Sequence, residues 1–263
     1  MSQVATIDVL RVGEGSRRDR VALEEPLAIQ VQGRTIAVVM RTPGHDEELA
    51  VGFLRGEGVV RSAAEIASVH HCSERDADDV VRVLLADGKA IDFASLQRNV
   101  YATSSCGVCG KASIEAAMRC AAPLTSDVSF DPQVLVNAPD VLRCHQHLFE
   151  LCGGVHGAAL MSRDGAVLAV REDVGRHNAV DKLMGWALLE GRSLEETFLV
   201  VSGRVAFEIV QKAVAARVPA VVAVSAPTSL AVELAERSGI LLAGFVRDGR
   251  MNVYAAAERL SGR

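Results

Sequence analysis

From Phe198 to Val246 the chain alternates apolar runs with helical segments, and no other feature restricts the possible folds as tightly. Phe198 to Ser202, Ala220 to Ser225 and Ile240 to Val246 read as strands, while Val205 to Arg217 and Thr228 to Ser238 between them read as helices. Strands separated by helices tend to pair in parallel, because the crossover returns the chain to the same end of the sheet. Val218 to Val224 is then a buried central strand and not a membrane segment. Upstream, Asp140 to Leu151 is expected as a helix with a Gly153-Gly154 stop. His156 to Ser162 and Ala166 to Arg171 form a hairpin over Asp164-Gly165, and Asn178 to Glu190 is a helix. Met251 to Tyr254 closes the series as a strand. These elements imply a layered domain with a mixed, partly parallel sheet.

The first half has a different grain. Val4 to Val12 alternates as a strand, and Leu27 to Gln32 with Thr35 to Arg41 flank Gly33-Arg34 as a hairpin. Thr42 to Glu48 leads into a short helix through Leu49 to Leu54, with acids in its first turn and Gly56 near its end. Ile66 to Cys72, Val80 to Leu85 and Ala90 to Phe93 read as further strands, the last two joined at Asp87-Gly88. This half is expected to be small, α+β and mostly antiparallel. The division is a small α+β domain over 1–102, a cysteine loop, helix and linker over 103–138, and an α/β domain over 139–263.

A hydrophobic content of 49% places the chain among globular proteins, and a formal charge of -5 gives no general attraction for nucleic acid. Any anionic ligand must be held locally. The N-terminal residues lack the basic start and apolar core of a secretory signal, and no run reaches membrane-spanning length, so the expected location is the cytoplasm, away from the membrane. Thiols stay mostly reduced there, which turns attention to Cys106-Gly-Val-Cys109 as a catalytic or metal-binding pair. Glycine follows each thiol, and Lys111 to Cys120 is built from helix formers, which places Cys109 at a helix N-terminus. The partial positive charge there, with Lys111 nearby, favours the thiolate. Cys72, Cys120, Cys144 and Cys152 are expected as small buried hydrophobes. His70-His71-Cys72 invites a metal reading, but adjacent strand residues face opposite ways, so surface histidines are the expectation.

Three polar turns follow the apolar strands of the second half: Ser202-Gly203-Arg204, Ser225 to Ser229, and Arg247-Asp248-Gly249-Arg250. The carboxyl ends of parallel strands and the helix N-termini after them make a crevice suited to phosphate, so the three turns could converge on one anion. Each could also be only a cap or a hairpin turn. Arg204, Arg247 and Arg250 favour the anion, because guanidinium groups bind phosphate or carboxylate bidentately. No dinucleotide fingerprint or Walker loop is present. Arg171 to Asn178 is dense in ionisable groups, either a functional rim or a self-satisfied capping network. His156 is either a ligand contact or a core hydrogen bond.

Glu25-Pro-Leu, Met40 to Gly44, Glu48 to Leu54, Ser104 to Lys111, Arg171 to Leu183, Ser202-Gly-Arg204, Phe207 to Lys212, Val222 to Val232 and Gly244 to Tyr254 together resemble the formate dehydrogenase accessory sulfurtransferases, the FdhD/NarQ family. The resemblance implies a sulfur carrier that takes persulfide sulfur from a cysteine desulfurase and delivers it to the molybdenum bis-guanine-dinucleotide cofactor for formate dehydrogenase. Cys106 would carry the persulfide with Cys109 as its partner, and the cofactor-contacting segment falls on Phe245, Val246, Arg247, Asp248, Gly249 and Arg250. Ser202, Arg204, Ser225 and His156 are the further cofactor-binding candidates, and no resident metal is expected. The family also implies a cytidine-deaminase-like three-layer α/β/α second domain and a homodimer. Deamination itself is not expected. A zinc deaminase needs His-x-Glu and Pro-Cys-x-x-Cys at its helix starts, and this chain has Arg176-His-Asn178 and Ser202-Gly-Arg204. Cys152 departs from the family's threonine and is expected to be silent.

Two other functions use the same thiols. A dithiol oxidoreductase would place them between the strand and helix of a thioredoxin-like unit, whereas here they fall between domains. A zinc-binding adaptor would need further ligands, such as Cys144 with His145 or His147, which are poorly spaced for a closed site.

Overall fold

The computed structural model describes residues 2–72, 79–87, 93, 124 and 127–262. Twelve strands and six helices are formed there: β1 Val4–Arg11, β2 Gly15–Ala22, β3 Glu25–Val31, β4 Arg34–Arg41, α1 Asp46–Gly56, β5 Ile66–Cys72, β6 Val80–Leu85, α2 Pro132–Cys144, α3 His147–Cys152, β7 His156–Ser162, β8 Val167–Asp173, α4 Arg176–Leu189, β9 Thr197–Val201, α5 Phe207–Ala216, β10 Ala220–Ala223, α6 Ser229–Ser238, β11 Leu241–Arg247 and β12 Arg250–Ala255.

The second half builds a six-stranded sheet in the order β12-β11-β10-β9-β7-β8. Strands β9, β10 and β11 are parallel, and β7, β8 and β12 join by antiparallel pairing, which gives the expected mixed sheet. Side chains alternate across it. Leu199, Val201, Val221 and Leu242 pack with α4, α5 and α6, whereas Phe198, Val200, Val222 and Ala243 pack with Leu135, Ala138 and Leu142 of α2. Both faces are covered, so the α/β/α layering follows from two apolar faces on every central strand.

The first half forms a four-stranded sheet in the order β4-β3-β6-β5, antiparallel except for β3 with β6. Its core of Leu27, Ile29, Val31, Val81 and Val83 packs on Leu49, Phe53 and Leu54 of α1, and Leu188 of α4 enters the same cluster. Helices α1 and α4 touch backbone to backbone. A Cβ on Gly52 would lie 1.8 Å from the Asp181 carbonyl oxygen, and one on Gly185 would lie 1.8 Å from that of Glu48.

Several expectations change. Strand β2 pairs with β1 in a separate two-stranded ribbon that the arginine-rich stretch Gly15–Ala22 did not advertise. The helix expected from Asp140 begins at Pro132, capped by the Asp131 side chain, and breaks before α3. Pro139, a breaker by rule, sits inside α2. Phe93, the one described residue of the strand expected over 90–93, is helical. Gly88 of the Asp87-Gly88 junction and the helix expected from Lys111 to Cys120, with Cys120 itself, lie outside the described residues.

A candidate anion site at the carboxyl edge of the sheet

Because β8, β9, β10 and β11 all run the same way, their carboxyl ends share one edge of the sheet. Helices α4, α5 and α6 begin there, and β7 starts there with His156. This is the edge along which the three polar turns were expected to gather, and all three lie on it.

At one end of the edge, Ser202 and Gly157 are tied together. The Gly157 amide donates to Ser202 Oγ at 3.0 Å, and the Ser202 amide donates to the Gly157 carbonyl at 3.0 Å. Gly203 follows as bare backbone, and a Cβ there would lie 3.3 Å from His156 Nδ1 and 3.8 Å from Arg176 Cδ. His156 and Arg176 therefore flank the same gap. Burial lowers the His156 pKa and Arg176 lowers it further, against an opposing pull from Asp173. Next to them, burial and the charges of Lys212 and Arg176 push His177 down to about 3. Both imidazoles are neutral at pH 7.

At the other end, the Phe245 amide donates to the Ser225 carbonyl at 3.2 Å, and Gly244 lies against Pro227. Phe245 is the extra residue of a bulge between β11 and β12, held at φ 52 with its ring 39% exposed. A bulky side chain in that region is strained, and such strain gathers at functional sites. Arg247 to Arg250 is a tight hairpin turn with Asp248 and Gly249 at positive φ, so two arginines leave its base side by side. Arg204, Arg247 and Arg250 are exposed, and none has an ion-pair partner among the described residues. Val246 differs from its neighbours, for its side chain is buried under α2 and not in the crevice. Thr228 caps α6 as expected, its side chain accepting from the Ala231 amide at 3.4 Å.

The ionisable run Arg171 to Asn178 divides between the two roles left open for it. Arg171 holds Glu48 at 2.6 and 2.8 Å, and Glu172 accepts from the Leu148 and Phe149 amides at the start of α3. Asp173, fully buried, pairs with Lys182 at 2.7 Å and accepts from Thr42, Gly175 and Asn178. Arg171, Glu172, Asp173 and Asn178 thus form a capping and joining network. Arg176 and His177 are the exceptions, with Arg176 Nε and His177 Nε2 buried and lacking hydrogen-bond partners. Their position at the edge was the signal available in the sequence, at the start of a helix after a strand, and the density of charge around them obscured it.

Cys106 and Cys109 lie outside the described residues. Of the other thiols, Cys144 is exposed and Cys72 and Cys152 are half-buried, so none of the three is the buried hydrophobe expected. Each stands at the end of its strand or helix, where packing ends. Among the described residues no group of three His, Cys, Asp or Glu side chains is disposed to hold a metal ion. His71 is only 18% exposed, with Nε2 within 4 Å of Asp46 and Asp79, both of which hold the buried guanidinium of Arg41. It is part of an ion cluster, not a surface histidine. No described helix is long and apolar enough to cross a membrane.

The fold and edge define a layered α/β protein with exposed arginines in two of the polar turns at the carboxyl ends of its strands. The FdhD/NarQ family model matches residues 22–261, and the chain belongs to that family. It is 47% identical over 268 residues to a protein of Streptomyces avermitilis called sulfur carrier protein FdhD, covering 97% of this chain and 95% of the relative. A protein of the same name from Mycobacterium tuberculosis is 46% identical over 257 residues, covering 94% and 93%. Among solved structures, a candidate formate dehydrogenase accessory protein from Desulfotalea psychrophila matches with a TM-score of 0.76 at 28% identity, covering 98% of each chain.

Proposed function

We propose that this chain is a sulfur carrier in formate dehydrogenase maturation, accepting persulfide sulfur on Cys106 and passing it to a molybdenum bis-guanine-dinucleotide cofactor that docks on the carboxyl edge. The observation that carries this reading is the near full-length match to relatives called sulfur carriers, in a chain with Cys-Gly-Val-Cys-Gly at positions 106–110. The cofactor is the acceptor substrate. The edge suits its phosphates, with three unpaired arginines among the described residues, the Ser202 and Ser225 turns, and an exposed aromatic at Phe245.

In the donor step the Cys106 thiolate attacks the outer sulfur of a desulfurase persulfide. A new S–S bond forms on Cys106, and the desulfurase cysteine leaves as thiolate. Attack of Cys109 on Cys106 Sγ then forms a disulfide and releases sulfide to the acceptor, and a thiol reductant restores both thiols. The reading carries with it a cytoplasmic homodimer.

Intact-protein mass spectrometry after incubation with a cysteine desulfurase and cysteine tests the donor step. Wild type and Cys109→Ala should each gain one sulfur, and Cys106→Ala should gain none. No adduct on wild type beside an active desulfurase would overturn the carrier reading.

A further inference from the structure

A cleft of about 490 Å³ runs along β8, the edge strand of the six-stranded sheet, and none of the three polar turns lines it. Its apolar wall is made by Val167 and Val170 of β8, Leu148 and Leu151 of α3, and Val4 of β1. Three of the chain's seven histidines, His45, His145 and His147, stand around it. An apolar wall with a few converging polar groups is the usual make-up of a ligand site.

The polar groups are acceptors, and the hydrogen bonds they already make show why. His145 Nδ1 lies 2.8 Å from the Val141 carbonyl, which can only accept, so Nδ1 holds the proton and Nε2 of the neutral ring is left as a lone pair. His45 Nδ1 lies 3.3 Å from Glu48 Oε2, and a carboxylate oxygen likewise leaves the proton on Nδ1. His45 occupies the N-cap position of α1 at φ 59 yet makes no cap bond with its side chain, which lines the cleft instead. Gln3 Nε2 donates to the Pro43 carbonyl at 2.9 Å, which leaves the Gln3 side-chain oxygen to accept.

Two charged groups complete the lining. Arg171 is neutralised by Glu48, and its Nη1 donates to the Val170 carbonyl. Glu172 has no ion-pair partner among the described residues. Its two oxygens each accept one amide, from Leu148 and Phe149, and a carboxylate has room for about two bonds more. A carboxylate, two imidazole lone pairs and an amide oxygen, beside an arginine that is already paired, call for a donor that carries positive charge.

We propose that the cleft binds a primary ammonium on an apolar stem, with the ammonium held by Glu172 and by Nε2 of His45 and His145 and the stem lying on the valines and leucines. An anion would meet the unpaired charge of Glu172, and among the described residues no three ligands are disposed to hold a metal ion. A free alkylamine and the lysine side chain of a partner protein both offer this chemistry.

Calorimetric titration of the full chain at pH 8 with pentylamine, Nα-acetyl-lysine methylamide, pentanol and pentanoate tests the assignment. At that pH free imidazole is neutral and an alkylammonium is still charged. Both amines should bind at least about tenfold more tightly than pentanol, and pentanoate more weakly than pentanol. Glu172→Gln keeps an oxygen for one of the α3 amides and should weaken amine binding about ten- to a hundredfold. His145→Phe keeps a flat ring at an exposed position and should weaken it about tenfold, and it carries the test if the Glu172 variant does not fold. Pentanol or pentanoate bound as tightly as pentylamine would overturn the proposal, as would the binding of neither amine, or amine binding that either folded variant leaves unchanged. The tighter amine identifies the source, a partner's lysine if the lysine compound leads and a free amine if pentylamine does, and either result keeps the ammonium seat.

Discussion

His177 and Asp181 sit one turn apart on α4 and titrate in opposite senses. Burial holds the imidazole down, to about 3 from an ordinary 6.5, so as pH falls below 6.5 the unfolded chain takes up a proton that the folded chain refuses. Stability falls on acidification through that window. Burial raises the Asp181 carboxyl to about 6 from 3.8, despite Lys212 beside it, so between those values the folded chain holds the extra proton. That contribution is full at low pH and is lost as pH rises through about 6. The two partly cancel, and His177→Gln should uncover the second. Urea melts at pH 7.5 and pH 5 should show the variant gaining on wild type only at the lower pH. The same offset at both values would mean that His177 is not held neutral. This pairing was not legible in the sequence. Arg171 to Asn178 displays its ionisable groups, yet which of them turn inward depends on partners such as Glu48 and Thr42, more than a hundred residues away.

Among the elements, legibility followed apolar pattern. The parallel core of β9, β10 and β11 with α5 and α6 was readable because each buried strand is a continuous apolar run bounded by turn residues. Strand β2 was not, since Gly15–Ala22 carries three arginines and an aspartate and forms only by pairing with β1. Helix α2 starts eight residues before the expected Asp140, and the hydrogen bond lost at Pro139 inside it is offset by burying Leu135, Ala138 and Leu142 on the sheet. The glycines of α1 and α4 were equally silent. Helix propensity alone says that Gly185→Ala should stabilise the protein by about 1 kcal/mol. The crossing says the opposite, because the new methyl would overlap the Glu48 carbonyl and force two packed helices apart, at about 3 kcal/mol. Thermal denaturation decides between them by the sign of the change in Tm.

For the molecule as a whole, that crossing joins two sheets that share no strand pairing among the described residues. Lys182 of α4 reaches back to the Thr42 carbonyl at 2.9 Å while paired with Asp173, Asn178 donates to the Met40 carbonyl, and Arg171 clamps Glu48. The segment between β4 and α1 is thus laced to the start of α4, and Leu188 completes the core beneath the four-stranded sheet. A seam made of buried charge and backbone contact should couple the two halves into one unfolding unit. Trp186, the only tryptophan, lies on α4 and reports on the seam directly. Its fluorescence and the far-ultraviolet circular dichroism should therefore follow one coincident urea transition. Lys182→Met leaves the Asp173 carboxylate buried without its cation, and should shift both curves together by about 3–5 kcal/mol. A circular dichroism change that precedes the tryptophan signal would show the four-stranded sheet melting alone. The carboxyl edge would then be held by the second half of the chain, with no support from the first.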